Sequence, residues 1–251
     1  MKPFQLIRLH DQIWLENQRI AGKVAKECQL LAKDLINANQ SLLKISEECH
    51  SLMMRNDCVP TFLGYKGFPG AICTSVNNQL VHGIPTDYIP KDGDLVKIDL
   101  GVTYKGAIAD CAFTMIKGTP INPKHLELVH ACEKALDNAI QAIKVGKKIG
   151  CIGAAISYIH KKSTFGLITN YGGHSMDYNK PHADPFVNNK SSSQDGVTIQ
   201  PGLVLCIEPM FTLKDTQTWT LTDGWTVMTK DVSAHFEKTV FIHEDRVEVI
   251  A

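Results

Sequence analysis

Apolar residues recur at every third or fourth position in four stretches of this chain, and at every second position in several others. From Asp11 to about Ile36, the residues Ile20, Val24, Cys28, Leu31 and Leu35 form a single stripe, which predicts an amphipathic helix. Leu42, Ile45, Cys49 and Leu52 predict a second helix over about Ser41–Arg55, with Ser41 as its N-cap. Asn122-Pro123 opens a third, a capping residue followed by proline in the first helical position, where a missing N–H leaves no bond unmade. That helix turns Leu128, Cys132, Leu136, Ala139 and Ile143 inward and stops near Gly146. The fourth, about Gly150–Lys162, presents Ile152, Ala155, Ile156 and Ile159. Strand-like runs cover Asp94–Val102, Ala107–Ile116, Thr198–Phe211, Trp225–Thr229 and Ser233–His243, with a short addition at Arg246–Ile250. The order of helix pair, strands, helix pair, strands reads as a duplicated α+β unit around one site. No low-complexity linker interrupts it, so residues 1–251 are expected to form a single domain.

Two aspartates break the apolar strands of KIDLGVTYKGAIAD (97–110). If the chain turns at Tyr104-Lys105, Thr103 faces Gly106 and Asp99 faces Asp110, with Cβ atoms roughly 5 Å apart. Like charges so placed repel. A register slip would send one carboxylate to the other face; otherwise the pair shares a proton or is neutralised by a cation. A bridging divalent metal relieves both the repulsion and the desolvation. Two glutamates repeat the pattern: Glu208 lies in the apolar run PGLVLCIEPM and Glu237 in SAHFEKTVFI. Four carboxylates make a hard, oxygen-rich site, and one imidazole would turn it towards Mn, Fe, Co or Zn. His174, in NYGGHSMD, is the candidate, although a histidine beside glycines reads equally as an exposed loop residue.

Composition narrows the class without choosing the chemistry. Hydrophobic content of 44% and charged content of 21% suit a soluble globular protein with a sizeable core. Lys+Arg and Asp+Glu are equal at 26, so no whole-chain field recruits nucleic acid or an anionic membrane. The N-terminal MKPFQLIRLHDQIWLENQ has no apolar run of signal-peptide length, and no segment approaches a membrane span. The eight cysteines contain no Cys-x-x-Cys pair and fall mostly in apolar periodic segments, as reduced core residues of a cytoplasmic protein would.

VHGIP (81–85), KDGDLVKIDLGVTYKGAIAD (91–110), CIEPM (206–210) and DGWTVMTKDVSAHFEKTV (223–240) resemble type I methionine aminopeptidases. FLGYKGFPGAICTSVN (62–77) resembles their substrate-pocket segment. The short stretch between His174 and Glu208 leaves no room for the helical insertion of type II enzymes, and the N-terminal extension of many eukaryotic type I forms is not expected. The resemblance implies the pita-bread fold, two pseudo-twofold halves around two divalent ions. Its implied ligands are Asp99, Asp110, His174, Glu208 and Glu237, with Asp110 and Glu237 shared between the metals. It implies removal of N-terminal methionine, with water between the metals as nucleophile and Glu208 as proton shuttle. His82 matches a histidine near the leaving nitrogen, and His182 one that stabilises the oxyanion. Tyr65, Phe68, Cys73 and Trp225 match the methionine slot, and Phe62 stands where cysteine is common. Asn77 and Ser233 match positions whose backbone oxygens hold a structural monovalent cation. The implied protein is a monomer acting on chains that start with Met and a small second residue, with the ribosome as a neighbour.

The chain departs from the family in GGHSMDYNKPHADPFV, where Ser175 and Asp177 replace glycines and His182 falls one residue later than usual. Glycine allows positive φ or a close substrate approach, so this change is expected to reshape the substrate end and spare the metals. Two other readings compete: a pita-bread peptidase of the X-Pro or prolidase type, and a non-catalytic protein of this fold that binds peptides or RNA.

Overall fold

The two aspartate-bearing segments pair as strands Leu95–Tyr104 and Ala107–Ile116 in the computed structural model, which describes residues 8–251. The first seven residues of the N-terminal stretch discussed above lie outside the described residues. The expected register is corrected by two places. Tyr104 pairs with Ala107, Gly101 with Asp110 and Asp99 with Ala112. The turn is Lys105-Gly106, both at positive φ (46° and 82°), the two-residue hairpin whose twist matches its strands. A shift of two preserves side-chain parity, so both aspartates stay on one face as diagonal neighbours.

Helix α1 (Gln12–Asn37) and helix α2 (Leu42–Arg55) pack against each other, and α1 lies across that hairpin. Asp11 and Ser41 cap them. The α1 stripe is rotated from the expected one: Ile20 is exposed, whereas Val24, Cys28, Ala32 and Ile36 are buried. Helix α3 (Pro123–Ala142) begins at the Asn122 cap as expected and packs on helix α4 (Gly150–Lys161). Together they occupy the second half, α3 against the strands around residues 210–242. None of the helices is long and apolar enough to cross a membrane among the described residues.

One nine-stranded sheet joins the halves, its path running through Leu95–Tyr104, Ala107–Ile116, Glu237–Ile242, Val204–Ile207, Gly172–Asp177 and Lys180–Asn188. Two long strand expectations divide. Thr198–Phe211 becomes Val204–Ile207 and Met210–Thr212, and Ser233–His243 becomes Ser233–His235 and Glu237–Ile242, the pieces lying in different sheets. The breaks, at Pro209 and Phe236, fall beside Glu208 and Glu237, where the chain leaves one sheet for the next.

The segment around His174 is a strand and not an exposed loop. Gly172–Asp177 and Lys180–Asn188 form a hairpin, and His174 is buried. Its outer strand alternates in burial, with Pro181, Pro185 and Val187 inward, but two prolines hide the alternation from a sequence reader. The hairpin tip docks on the first one: Asn179 N–H donates to Gly106 O at 2.9 Å, and a Cβ on Gly106 would fall 2.2 Å from the Tyr178 ring. Gly106→Ala therefore combines a positive-φ penalty of about 1–2 kcal/mol with a clash. A thermal midpoint lower by roughly 5 °C is expected in a melting experiment; an unchanged midpoint would show that the tip contact is dispensable.

Candidate metal centre and substrate pocket

Neighbouring rows of the sheet bring the acids together. Asp99 pairs with Ala112 and Ala112 with Glu237, so these three side chains share one row and one face. Glu208 follows Ile207, which pairs with Lys238, and so emerges beside Glu237. In the next row Gly101 pairs with Asp110, while Cys206 pairs with both Thr239 and His174. The Thr239 hydroxyl ties these strands by accepting from Asp110 N–H (2.8 Å) and donating to Asp110 O (2.7 Å). Gly101, the smallest residue on this face, lets Thr61 and Phe62 pack directly over the strand, where a Cβ would come within 2.8 Å and 2.9 Å of them.

Asp110, His174, Cys206 and Glu237 each bring a ligand-type atom within 4.8 Å of the others. His174 Nε2 lies 3.8 Å from Glu208 Oε1. All five expected ligands line one cavity of about 210 Å3. Asp99 Oδ1 and Asp110 Oδ1 are buried without any hydrogen-bond partner. Burial lifts Asp99 to about 7 and Glu208 to about 8. Burial together with neighbouring carboxylates drives Asp110 and Glu237 well above the usual carboxylate range. Burial also lowers His174 to about 3, with His182 adding to the effect, so its ring is neutral and free to donate a lone pair. Orphaned oxygens, crowded acids and one neutral imidazole fit divalent cations.

Beside the acids the cavity is apolar. Phe62, Phe68 and Cys73 form a buried cluster of their own, with Ile84 and Trp225 packed against it. Phe68 meets Trp225 edge-on at 5.1 Å, and Phe62 lies over Gly101, where a Cβ would come within 2.9 Å of its ring. Burial, with Asp99 next in effect, raises the Cys73 thiol well above its usual value, so it remains a neutral, soft wall. His82 sits at φ 60°, its ring edge-on to Trp225 at 6.5 Å, and burial lowers it to about 4. A non-glycine residue at that φ is the kind of backbone strain found at functional sites.

The extra residue before His182 does not carry it away. Register irregularities between His174 and Ser175, and between Ser175 and Asp177, absorb the surplus as bulges. His182 ends 4.4 Å from the His174 ring, with its Nδ1 3.1 Å from the Tyr65 hydroxyl. Every residue expected at the site lines this cavity: Tyr65, His82 and His182 as well as the slot and the ligands.

Sequence reading missed four neighbours. Lys66 lines the mouth. Cys206 joins the ligand cluster, on the same strand parity as Glu208. His235, fully buried, places Nε2 3.5 Å from Glu208 Oε2; its position two residues before Glu237 was the available signal. Lys97 lies two residues before Asp99, and its Nζ donates to Asn77 O (2.8 Å) and Ser233 O (3.0 Å). The two carbonyl oxygens expected to hold a monovalent cation are thus engaged by an ammonium. Burial draws that ammonium down to about 7, whereas the carbonyl dipoles favour its charged form.

A profile of metallopeptidase family M24 matches residues 16–244. The methionine aminopeptidase of Mycoplasma capricolum is 36% identical, the alignment covering 98% of each chain. The crystal structure of methionine aminopeptidase from Rickettsia prowazekii superimposes with a TM-score of 0.92 at 31% identity, over 98% of this chain and 99% of that one. Prolidase from Pyrococcus horikoshii shares the fold, with a TM-score of 0.77 at 21% identity over 96% of this chain and 62% of its own. The architecture is the pita-bread fold. The chain belongs to metallopeptidase family M24 and, within it, to the methionine aminopeptidases.

Proposed function

We propose that this single-domain protein is a cytoplasmic enzyme that hydrolyses the first peptide bond of peptides and nascent chains beginning with methionine and a small second residue. The observation that carries the reading is the meeting, in one cavity, of four buried carboxylates and the His174 imidazole with a separate apolar cluster that includes the Cys73 sulfur. Asp99, Asp110, His174, Glu208 and Glu237 would hold two divalent ions, of Co, Mn, Fe or Zn, which when bound lower the pKa of water and polarise the scissile carbonyl.

The protein groups perform the rest. The methionine side chain enters between Phe62, Phe68, Cys73 and Trp225, with Tyr65 at the entrance, which fixes the scissile bond over the acids. Glu208, least enclosed of the four acids and raised by burial, holds and passes the proton from water to the leaving amine. His82, neutral at physiological pH, offers an N–H to the scissile amide. His182, oriented by Tyr65, faces the carbonyl oxygen as charge develops there. Eight buried, unpaired cysteines accord with a reducing compartment.

Protein reconstituted with Mn(II) or Co(II) is expected to release methionine from Met-Ala-Ser and to leave an Ala-Pro peptide uncut, as followed by chromatography. Cleavage confined to the proline peptide would transfer the reading to the prolidase type. A metal-replete preparation that cuts neither would sink the enzymatic reading.

A further inference from the structure

A buried lysine is costly unless its charge meets a partner. Lys97 is 1% exposed, and no carboxylate lies in salt-bridge range of it among the described residues. It does not line the catalytic cavity, so it is no acid or base there. Its partners are main-chain oxygens. Asn77, held at φ 54°, points its carbonyl at the Nζ, at Ser233 N–H (3.1 Å) and at the Ser233 hydroxyl (3.3 Å). Ser233 O supplies the second acceptor, and Gln79 O, 3.4 Å from the Ser233 hydroxyl, stands beside them. The Asn77 side chain in turn is fixed by Asp94, accepting at 2.8 Å, and by Leu95 N–H. Convergent carbonyl oxygens around one positive charge are the coordination that a bare alkali ion seeks.

The segments tied together each carry a residue of the site. Lys97 shares its strand with Asp99; Asn77 begins the turn into the strand that ends before His82; Ser233 opens the strand of His235 and precedes Glu237. We infer that Lys97 is a tethered monovalent cation: its ammonium occupies a carbonyl-lined alkali-ion site and holds these three segments in register without an exchangeable ion. The chain is then indifferent to Na+ and K+ where an open cage would need one. The inference concerns cation binding and does not rest on the proposed peptidase activity.

The test compares the intact protein with Lys97→Ala, Lys97→Gln and Lys97→Met in choline, sodium and potassium chlorides at equal ionic strength. Melting midpoints of the native chain are expected to agree across the three salts within about 1 °C. Lys97→Ala, which opens the cage, is expected to fall by roughly 10 °C in choline and to recover at least half of that, saturably, with Na+ or K+. Lys97→Met, which fills the space without charge, is expected to fall without recovery. Crystals soaked in thallium(I) should show an anomalous peak between Asn77 O and Ser233 O in Lys97→Ala and none in the native protein. Saturable dependence of the native midpoint on Na+ or K+ would overturn the inference, and this arm stands even if Lys97→Ala does not fold. A loss in Lys97→Ala or the milder Lys97→Gln that is equal in all three salts, with no thallium peak, would overturn it too.

Discussion

Glu208→Gln is expected to lower kcat for Met-Ala-Ser by about 10^2–10^4-fold, the range of a lost proton-transfer group. Glutamine keeps the shape, so the slot formed by Phe62, Phe68 and Trp225 is untouched and KM should change little. The carboxylate stands 3.8 Å from His174 and 3.5 Å from His235, two rings that burial keeps neutral. Neither is poised to take over its proton at neutral pH. Glu208 is also a ligand candidate, so metal content must be measured alongside the rate. A rate loss at unchanged metal content assigns the defect to proton transfer; a parallel loss of metal assigns it to ligation. Activity within a few-fold of the parent would remove Glu208 from the mechanism.

Divalent metal is expected to stabilise the protein more strongly as pH rises from 7 to 8.5. In the metal-free protein, folded Asp99 and Glu208 titrate near 7 and 8, and Asp110 and Glu237 higher still, all above their unfolded values. The folded state therefore binds more protons than the unfolded chain across this window. Their contribution to stability is complete below the unfolded carboxylate range and drains away as pH climbs through the folded values. Bound cations remove that penalty, and proton release on binding falls away in step. The gap between metal-loaded and metal-free melting midpoints should widen by roughly 5–10 °C, equivalent to about 2–5 kcal/mol. Taking the gap cancels Lys97, whose depressed value acts with the opposite sign above pH 7. His82, His174 and His235, held low by burial, weaken the fold only below about pH 6.5, outside the window. A gap that stays constant with pH would mean that the four acids are not the cation's seat.

The helices and the four acids of the candidate site were legible from residues because each left a local mark. Ser41 and Asn122-Pro123 are capping chemistry, and both cap as expected. Asp99, Asp110, Glu208 and Glu237 are charges inside apolar strands, a contradiction that only a shared site resolves. The hairpin register was missed because two turns with the same side-chain parity differ only in whether Lys105-Gly106 or Tyr104-Lys105 takes positive φ, and Gly106 decides it. The His174 strand was missed because Pro181 and Pro185 read as loop, although an outermost strand tolerates them. Lys97 left the same kind of mark, a charge between Val96 and Ile98, but nothing nearby in sequence says what it meets. Its meaning depends on Asn77 and Ser233, main-chain atoms far away in sequence, and carbonyl oxygens carry no residue signature.

The proposed methionine slot packs as an apolar island apart from the main core, Phe62, Phe68 and Cys73 touching Ile84 and Trp225 and not the large cluster running from Trp14 to Ala251. On the proposed reading, volume-conserving swaps among these few residues are expected to retune which first amino acid is accepted at little cost to the scaffold's cohesion.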